Sequence, residues 1–310
     1  MLGNVIFQTV VSVIGAFLTP VLALRYFKRV RLERPSIGTF DGQDVVILGT
    51  FIVLLPLLYL VVPTHLLTAF LTITFASALY IGLRPLLPVG VILTLAGALI
   101  GANIVLTYRS LGTEQGWQGY WLLSSALVVL AAIGVSNLYV QGGMRLKHVA
   151  YLGLFLAVYD IFFATVIPLS PMLADTFQGQ PLNAAFGFYL GGRQANLGIG
   201  DILLYCLYMI GAYKAYGRRG AITMLPVIVV FGAFLPGMSP LLIQHFVRVG
   251  IGIAVPAQLF FGPVAFLAYL WIRRAGPERS TGEWFAVQDA AGRAPARTRR
   301  RARPATQPVR

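Results

Sequence analysis

The sequence is poor in cysteine and in charged residues. Its 310 residues include a single cysteine, Cys206, inside an apolar run. One cysteine cannot form a disulfide framework or a thiolate zinc site within one chain. Only 11% of the residues are charged and 57% are hydrophobic, whereas an average soluble domain has about 25% charged residues. This composition excludes a soluble globular enzyme, a disordered chain and a disulfide-stapled scaffold, and it favours a polytopic helical membrane protein.

Acidic residues are scarce beside basic ones, with 10 Asp and Glu against 24 Lys and Arg, for a net charge of +14. Such a balance would ordinarily suggest nucleic acid. Ten of the basic residues, however, follow residue 272, and five lie between Arg25 and Arg34. Because this charge is confined to loops and a tail, it indicates membrane topology and contact with anionic headgroups of the lipid bilayer. We expect no specific nucleic-acid partner.

Long hydrophobic runs dominate the rest of the chain. A bilayer core about 30 Å thick requires roughly 20 apolar residues per helix. Nine segments meet or approach this length: 4–24, 45–62, 66–83, 89–107, 119–140, 148–169, 197–213, 222–241 and 250–272. The eighth contains Pro226 and Pro236, so we expect it to be kinked or partly unwound.

The basic residues predict the orientation of these nine spans. With the N-terminus outside, the inside loops and the tail hold 21 Lys and Arg and the outside loops hold three. The positive-inside rule therefore favours nine spans with the C-terminus inside. We divide the chain into a five-helix N-terminal membrane region (1–147), a second membrane region of helices six to nine (148–272) and a basic cytoplasmic tail (273–310). The tail is rich in Pro and Arg, and we expect it to be disordered.

Two acidic residues lie inside apolar segments, Asp160 in the sixth and Asp201 in the seventh. A carboxylate in the middle of a membrane costs at least about 2.5–3.5 kcal/mol, so it usually faces a bundle interior or a water-filled cavity and has a function. Each of these residues is 12 positions from the inner end of its predicted span, which places both roughly 18 Å from the inner boundary. Antiparallel neighbouring helices would bring the two carboxyl groups to one level.

Such a pair has the chemistry of a proton-sharing dyad. Like charges a few ångströms apart cannot both ionise easily. One carboxylate can then act as a general base on water while the other, protonated, polarises a carbonyl group. Gly198 and Gly200 directly precede Asp201, and the missing side chains would let another backbone approach the acid closely.

At these positions the chain resembles the presenilin/signal peptide peptidase family of intramembrane aspartyl proteases. That family carries YD on its sixth helix, GxGD on its seventh and PAL on its ninth. The corresponding elements here are Tyr159-Asp160, the Gly198–Asp201 segment and Ala254–Leu259, read AVPAQL. The last departs from the family pattern, because Gln258 stands where PAL has leucine and a leucine follows only at Leu259.

The resemblance implies a presenilin-like bundle in which Asp160 and Asp201 are the catalytic pair. Tyr159 would orient or pack beside them, and Pro256 and Ala257 would shape the site. Gln258 would hydrogen-bond in the cavity or reshape the substrate groove. The implied activity is hydrolysis of peptide bonds in single transmembrane segments, such as remnant signal peptides, by activated water. No metal or organic cofactor is implied.

The longest loop between spans, 170–196, contains an apolar stretch at 183–190 followed by Gly191-Gly192. A helix hides its peptide bonds and must open before hydrolysis. We therefore hypothesise that this loop is a substrate lid, or an edge strand that pairs with an unwound substrate.

Other functions remain alternatives. A proton- or cation-coupled transporter or channel also uses paired intramembrane acids and broken helices. Prepilin-type peptidases use a GxGD aspartate, although many carry cysteine pairs that this chain lacks. Zinc and serine intramembrane proteases require a histidine inside a span, and all three histidines lie at the edges of apolar runs. Arginine outnumbers lysine 21 to three, which points weakly to a prokaryotic plasma membrane.

Overall fold

The computed structural model describes residues 2–32, 40, 42–165, 179–246 and 256–293. They form eleven α-helices, one π-helical stretch and one two-stranded sheet. In chain order the elements are α1 (Leu2–Arg29), α2 (Gly42–Val61), α3 (Thr64–Leu83), α4 (Val89–Ser110), α5 (Glu114–Gln141), α6 (Leu146–Thr165), β1 (Ala185–Leu190), β2 (Arg193–Gly198), α7 (Ile199–Tyr216), α8 (Arg218–Val227), the π-helix Ile228–Phe234, α9 (Leu235–Phe246), α10 (Ala257–Arg273) and α11 (Thr281–Arg293).

The protein is a helical, multi-pass membrane protein. Within the described ranges, six helical stretches are long and apolar enough to cross a bilayer. They are Leu2–Arg29, Thr64–Leu83, Val89–Ser110, Glu114–Gln141, Leu146–Phe163 and Arg218–Leu241. The apolar helix α10 is shorter, at 17 residues, and residues 250–255 of the predicted ninth span lie outside the described residues.

Helix α5 runs through the middle of the bundle, where it contacts α1, α3, α4, α7 and β1. Small and polar residues allow these close approaches. A Cβ atom added to Gly82 of α3 would lie 2.9 Å from the Cα of Gly134 in α5, so the two backbones cross with no room for a side chain. Asn137 is fully buried, and its Nδ2 donates to the carbonyl of Ala23 in α1 at 3.2 Å.

The described chain is mostly helical, as expected, but the segment before α7 contains an antiparallel hairpin formed by β1 and β2. Gly191 and Gly192 make its two-residue turn with φ angles of 56° and 75°. Glycine reaches these positive angles without strain, and the resulting twist suits a hairpin. On the outer edge of β1, Ser125 of α5 hydrogen-bonds both backbone groups of Gly187. Its Oγ accepts from the Gly187 N–H at 2.9 Å and donates to the Gly187 carbonyl at 2.8 Å. The hairpin is thus fixed to the central helix.

The predicted eighth span changes its helical geometry near its prolines. The regular α-helix is interrupted there, as expected, but by a π-helical stretch and not by an unwound segment. Pro226 lies at the end of α8, and the seven residues of Ile228–Phe234 then adopt π-helical geometry before α9 begins. Proline removes a backbone donor and crowds the preceding turn, and a widened turn absorbs this disruption. Tyr205 of α7 occupies the gap, since its hydroxyl donates to the carbonyl of Gly232 at 2.5 Å.

The tail was expected to be disordered, and for its first half this is wrong. Thr281–Arg293 is the helix α11. It begins with a capping box, in which the Ser280 N–H donates to Glu283 Oε2 at 2.7 Å and the Glu283 N–H donates to Ser280 Oγ at 3.2 Å. Trp284 is buried against Phe27 and Tyr213. This helix therefore packs on the bundle through apolar contacts. The Pro- and Arg-rich composition of the whole tail had not indicated such contacts. Residues 294–310 lie outside the described range.

Lys214, near the end of α7, ties three elements together. It was counted as a loop charge, yet only 1% of it is exposed. Its Nζ donates to the carbonyls of Val140 at 3.0 Å and Met144 at 2.6 Å, and to Thr281 Oγ1 at 3.0 Å. These acceptors belong to α5, to the turn after it and to α11, so one buried cation joins the ends of these segments.

Most of the described basic residues gather at one end of the bundle. Lys28 lies over the ring of Tyr213 at 4.3 Å, which brings the ends of α1 and α7 together. The turn from α5 to α6 lies at the same end, since Lys214 reaches it. The hairpin turn, with Arg193, lies at the opposite end, beside the first residues of α1. Lys28 and Lys214 therefore lie at one end of the bundle and Arg193 at the other.

Candidate active site

Helices α6 and α7 bring the two intramembrane acids to the same level. Asp160 is 14 residues from Leu146, where α6 begins, and Asp201 is 15 residues from Tyr216, where α7 ends. At 1.5 Å per residue these separations are about 21 Å and 22 Å along antiparallel helices. Both distances start from the basic end of the bundle. The similar depth expected from the sequence thus agrees with the helix bounds.

Both aspartates line one cavity of about 550 Å³. The cavity lies between α1, the end of β2, α6, α7, the π-helix, α9 and the start of α10. Its lining is polar and rich in glycine and proline: Gln8, Ser12, Asp160, Asn196, Leu197, Gly198, Asp201, Gly232, Ala233, Pro236, Gly237, Pro240, Pro256 and Ala257. The two acids are close enough to repel each other electrostatically. A cavity of this volume with two carboxyl groups in its lining has room for water.

Close packing of α6 on α10 sets the position of Asp160. A Cβ atom added to Gly262 of α10 would collide with the backbone carbonyl of Gly153 and meet the Ala157 Cβ at 2.8 Å. Only glycine permits this crossing, which lies about two turns before Asp160 on α6. As a result, Asp160 lies beside the first turn of α10.

Gln258, in that first turn, contacts both acids. Its Nε2 donates to Asp201 Oδ1 at 2.5 Å, and its backbone N–H hydrogen-bonds Asp160. The residue is only 4% exposed, and its Oε1 has no partner among the described residues. The departure from the PAL pattern is therefore the residue that bridges the two acids.

Pro256 explains why the backbone of Gln258 is accessible. It is the N-cap of α10 and has φ −60° and ψ 135°, so the helix begins only at Ala257. The first backbone N–H groups of a helix have no intrahelical acceptor, and the N–H of Gln258 is one of these free donors. Pro256 and Ala257 both line the cavity. Ala254 and Val255 of the same motif lie outside the described residues.

Asp201 occupies the first turn of α7, directly after β2. Gly198 is both the last residue of β2 and the N-cap of α7, and a Cβ atom placed on it would lie 3.6 Å from Asp201 Oδ2. A carboxylate in this position interacts favourably with the positive end of the helix dipole, typically by about 0.3–1 kcal/mol. The short GxGD segment thus joins a strand edge to an acid at a helix N-terminus.

Three other predicted residues contribute less directly. Tyr159 packs against Phe163, with ring centroids 4.4 Å apart, and its buried hydroxyl lacks a partner within the described ranges. A Cβ atom on Gly200 would meet open space, so no close approach requires glycine there. Leu259 is half-buried and does not belong to the described lining of the cavity. Packing is the observed role of Tyr159.

Two functional candidates were missed in the sequence. Tyr205 is fully buried one helical turn after Asp201, and its hydroxyl donates to the carbonyl of Gly232, a residue of the cavity lining. Gln8 lines the cavity from α1. Helical spacing from Asp201 would have indicated the first, since residues i and i+4 share a face. A lone amide inside an otherwise apolar span was the available signal for the second.

Gln8 pairs with the outer edge of β2 as a peptide group would. Its Nε2 donates to the Asn196 carbonyl at 2.6 Å, and its Oε1 accepts from the Asn196 N–H at 3.1 Å. Since Asn196 and Gly198 alternate along the strand, their backbone groups point to the same edge. That edge leads into the cavity with the two acids. The apolar loop expected to act as a lid or edge strand is therefore a hairpin whose edge borders the site.

The described residues contain no group of three or more His, Cys, Asp and Glu side chains that could hold a metal ion. The lining of the cavity supplies two carboxyl groups and the side-chain amides of Gln8 and Asn196. A comparison with protein-family models finds no match, and no curated protein matches the chain.

Proposed function

We propose that the chain is an intramembrane aspartyl protease of the presenilin/signal peptide peptidase kind. The observation that carries this proposal is the shared cavity, in which Gln258 bridges Asp160 and Asp201. The three short motifs are separated by tens of residues, yet parts of all three line this one cavity. Its substrate would be a single transmembrane segment, and the peptide bond would be cleaved within or beside the bilayer.

Two local contacts favour different roles for the two acids. A carboxamide N–H can only donate, so its contact with Asp201 Oδ1 favours the ionised form of Asp201. The N-terminus of α7 favours the same form. Asp160 lies far along α6 and has one backbone donor. We assign Asp201 as the general base and Asp160 as the protonated acid.

The hydrolysis then follows from this assignment. Asp201 removes a proton from water, the resulting oxygen attacks the carbonyl carbon, and Asp160 donates its proton to the carbonyl oxygen. Collapse of the tetrahedral intermediate breaks the C–N bond, and the proton held by Asp201 passes to the leaving amine. One hydroxyl of the intermediate returns its proton to Asp160, so the carboxylic acid product leaves both aspartates in their starting protonation states. No covalent acyl-enzyme forms.

The outer edge of β2 suggests how a substrate is presented. An extended peptide can add to an exposed strand edge through main-chain hydrogen bonds. At Asn196 this position is occupied by Gln8, so a bound peptide would displace the amide and reproduce its donor and acceptor. The edge then guides the unwound segment toward Asp201.

The proposal includes the nine spans, with the N-terminus outside, the C-terminus inside and the basic end of the bundle facing the cytoplasm of a prokaryote. Clustering of the described cations at one end supports this orientation, because cytoplasmic loops carry an excess of Lys and Arg. Labelling of single cysteines introduced at Gly191 and at Arg218 from each side of sealed vesicles tests it. Modification of both positions from the same side would refute the orientation.

Cleavage of a peptide tests the function. The purified full chain is incubated with a fluorogenic single-span peptide in detergent, and product is identified by mass spectrometry. Asp160→Asn and Asp201→Asn should each abolish product, while Asp289→Asn, an exposed acid in α11, should leave the rate unchanged. A transition-state-mimicking aspartyl-protease inhibitor should block the wild type.

The same variants separate the proposal from a proton- or cation-coupled transporter. A transporter would give no product even as wild type, but pH-dependent flux into vesicles that either substitution removes. Flux without cleavage across a panel of single-span peptides would overturn the protease proposal.

A further inference from the structure

A second polar cavity, of about 410 Å³, lies at the basic end of the bundle. Three cations from different elements line it: Arg145 before α6, Lys147 in the first turn of α6 and Arg273 at the end of α10. Within the described part of the chain, none of their cationic groups forms an ion pair or hydrogen bond. Like charges are thus held around one space without a partner to neutralise them.

Hydroxyl donors line the same cavity. Tyr151, Tyr216 and Tyr269 contribute to the wall from α6, α7 and α10. The hydroxyl of Tyr216 is buried, and no described residue accepts its proton. A buried hydroxyl without a partner is costly, which indicates that a ligand satisfies it.

The single carboxylate in the wall has one engaged oxygen, while its second oxygen, Glu278 Oε2, is buried and has no partner among the described residues. Glu278 Oε1 accepts from the backbone N–H of Lys147 at 3.0 Å, so it satisfies one of the free donors at the start of α6. Three cations and this one carboxylate leave a net charge of +2 in the lining. The cavity is therefore electrostatically suited to an anion.

We propose that this cavity binds a phosphate group, supplied by the headgroup of an anionic phospholipid or by free inorganic phosphate. Guanidinium, ammonium and phenol groups are the donors that phosphate oxygens accept from. The site also lies where α6 begins and α7 and α10 end, and basic pockets between the ends of membrane helices bind anionic headgroups. This inference is independent of peptide cleavage.

Native mass spectrometry of the purified full chain tests the proposal. The protein is loaded with phosphatidylglycerol or phosphatidylcholine and washed in about 1 M salt, where the Debye length of about 3 Å removes long-range attraction by exposed charges. We expect one phosphatidylglycerol retained per chain and no phosphatidylcholine. Lys147→Gln combined with Arg273→Gln should weaken retention about 30-fold, since each basic residue contributes roughly a fivefold factor.

The matched control combines Arg218→Gln with Arg219→Gln, which removes two exposed cations at the same end but outside the cavity. It should retain phosphatidylglycerol as the wild type does. Equal loss in the control, equal retention in the cavity variant, or retention of phosphatidylcholine would overturn the proposal. If the cavity variant shows no cooperative thermal unfolding, Tyr216→Phe decides in its place, because it removes one donor without changing charge: weaker retention supports the site and unchanged retention overturns it.

Competition identifies the source of the phosphate. Inorganic phosphate in excess is added to the phosphatidylglycerol complex under the same wash. Displacement of the lipid would show a site for free phosphate, and persistence of the complex would show a headgroup site. Both results support a phosphate site, and they differ only in what carries the group.

Discussion

Replacing Gln258 with methionine should change the acidic side of the pH–rate profile. Methionine keeps the length of the side chain but has no N–H, so Asp201 loses the donor that lies 2.5 Å from its Oδ1. The backbone N–H that contacts Asp160 remains. The substitution therefore removes the stabilising contact of one acid and preserves that of the other.

The size of the effect follows from the contact. A hydrogen bond to a charged group contributes about 1.5–3 kcal/mol, and Gln258 is only 4% exposed, so solvent compensates little. The donor stabilises the ionised base, and its removal makes protonation of that base easier. Because about 1.4 kcal/mol corresponds to one pH unit, the acidic limb of kcat/KM should move about 1–2 units toward higher pH.

The assay is cleavage of a fluorogenic single-span peptide by the full chain in detergent across the pH range. Leu259→Met serves as the matched control, since it alters the adjacent half-buried residue without touching either acid. An acidic limb that stays in place for Gln258→Met, even at a reduced rate, would refute the role assigned to the Gln258 contact. An equal displacement in Leu259→Met would refute it as well.

Three further substitutions test other contacts. Gln8→Leu should lower KM about tenfold with kcat unchanged, because a substrate no longer competes with two hydrogen bonds at Asn196; steady-state kinetics that show a raised KM would contradict this. Tyr205→Phe should lower the thermal unfolding midpoint by an amount equivalent to about 1–3 kcal/mol, since the buried Gly232 carbonyl loses its donor; an unchanged midpoint would contradict the contact. Trp284→Ala should destabilise the docking of α11 by about 3–5 kcal/mol, and limited proteolysis should then cut this helix first; wild-type resistance would show that its packing is unimportant.

Hydropathy and charge predicted the parts of the fold that depend on the bilayer. A span must bury its backbone donors and acceptors in a helix about 20 residues long, and six of the nine predicted spans correspond to described helices long and apolar enough to cross a bilayer. The cost of burying charge identified Asp160 and Asp201, and helix bounds agree with their similar depth. Local chemistry of this kind does not depend on distant contacts.

The missed elements depend on local turn and cap chemistry that a hydropathy window does not register. Gly191-Gly192 is a hairpin signal, but only the apolar stretch before it was hypothesised to be an edge strand, and the polar stretch after it, which forms β2, was not recognised. Ser280 and Glu283 form a capping box, yet the Arg-rich residues that follow dominated the composition of the tail.

The contacts of the candidate site could not be predicted, because they join residues far apart in the sequence. Gln258 reaches Asp201 across 57 positions and Gln8 reaches Asn196 across 188. Each depends on the crossing of whole helices, which single-sequence patterns do not define. The sequence showed that Gln258 departs from the PAL motif, but it did not show that Gln258 would contact Asp201.

The burial of Lys214 has a consequence for the order in which the molecule matures. Its ammonium group has two carbonyl acceptors as soon as α5, the turn after it and α7 have packed, but the third acceptor is Thr281 of α11. During synthesis α11 emerges after every other described element, so the nascent bundle carries an incompletely coordinated cation until this helix docks. Docking of α11 through Trp284, which packs against Phe27 and Tyr213, therefore brings the last acceptor to this cation.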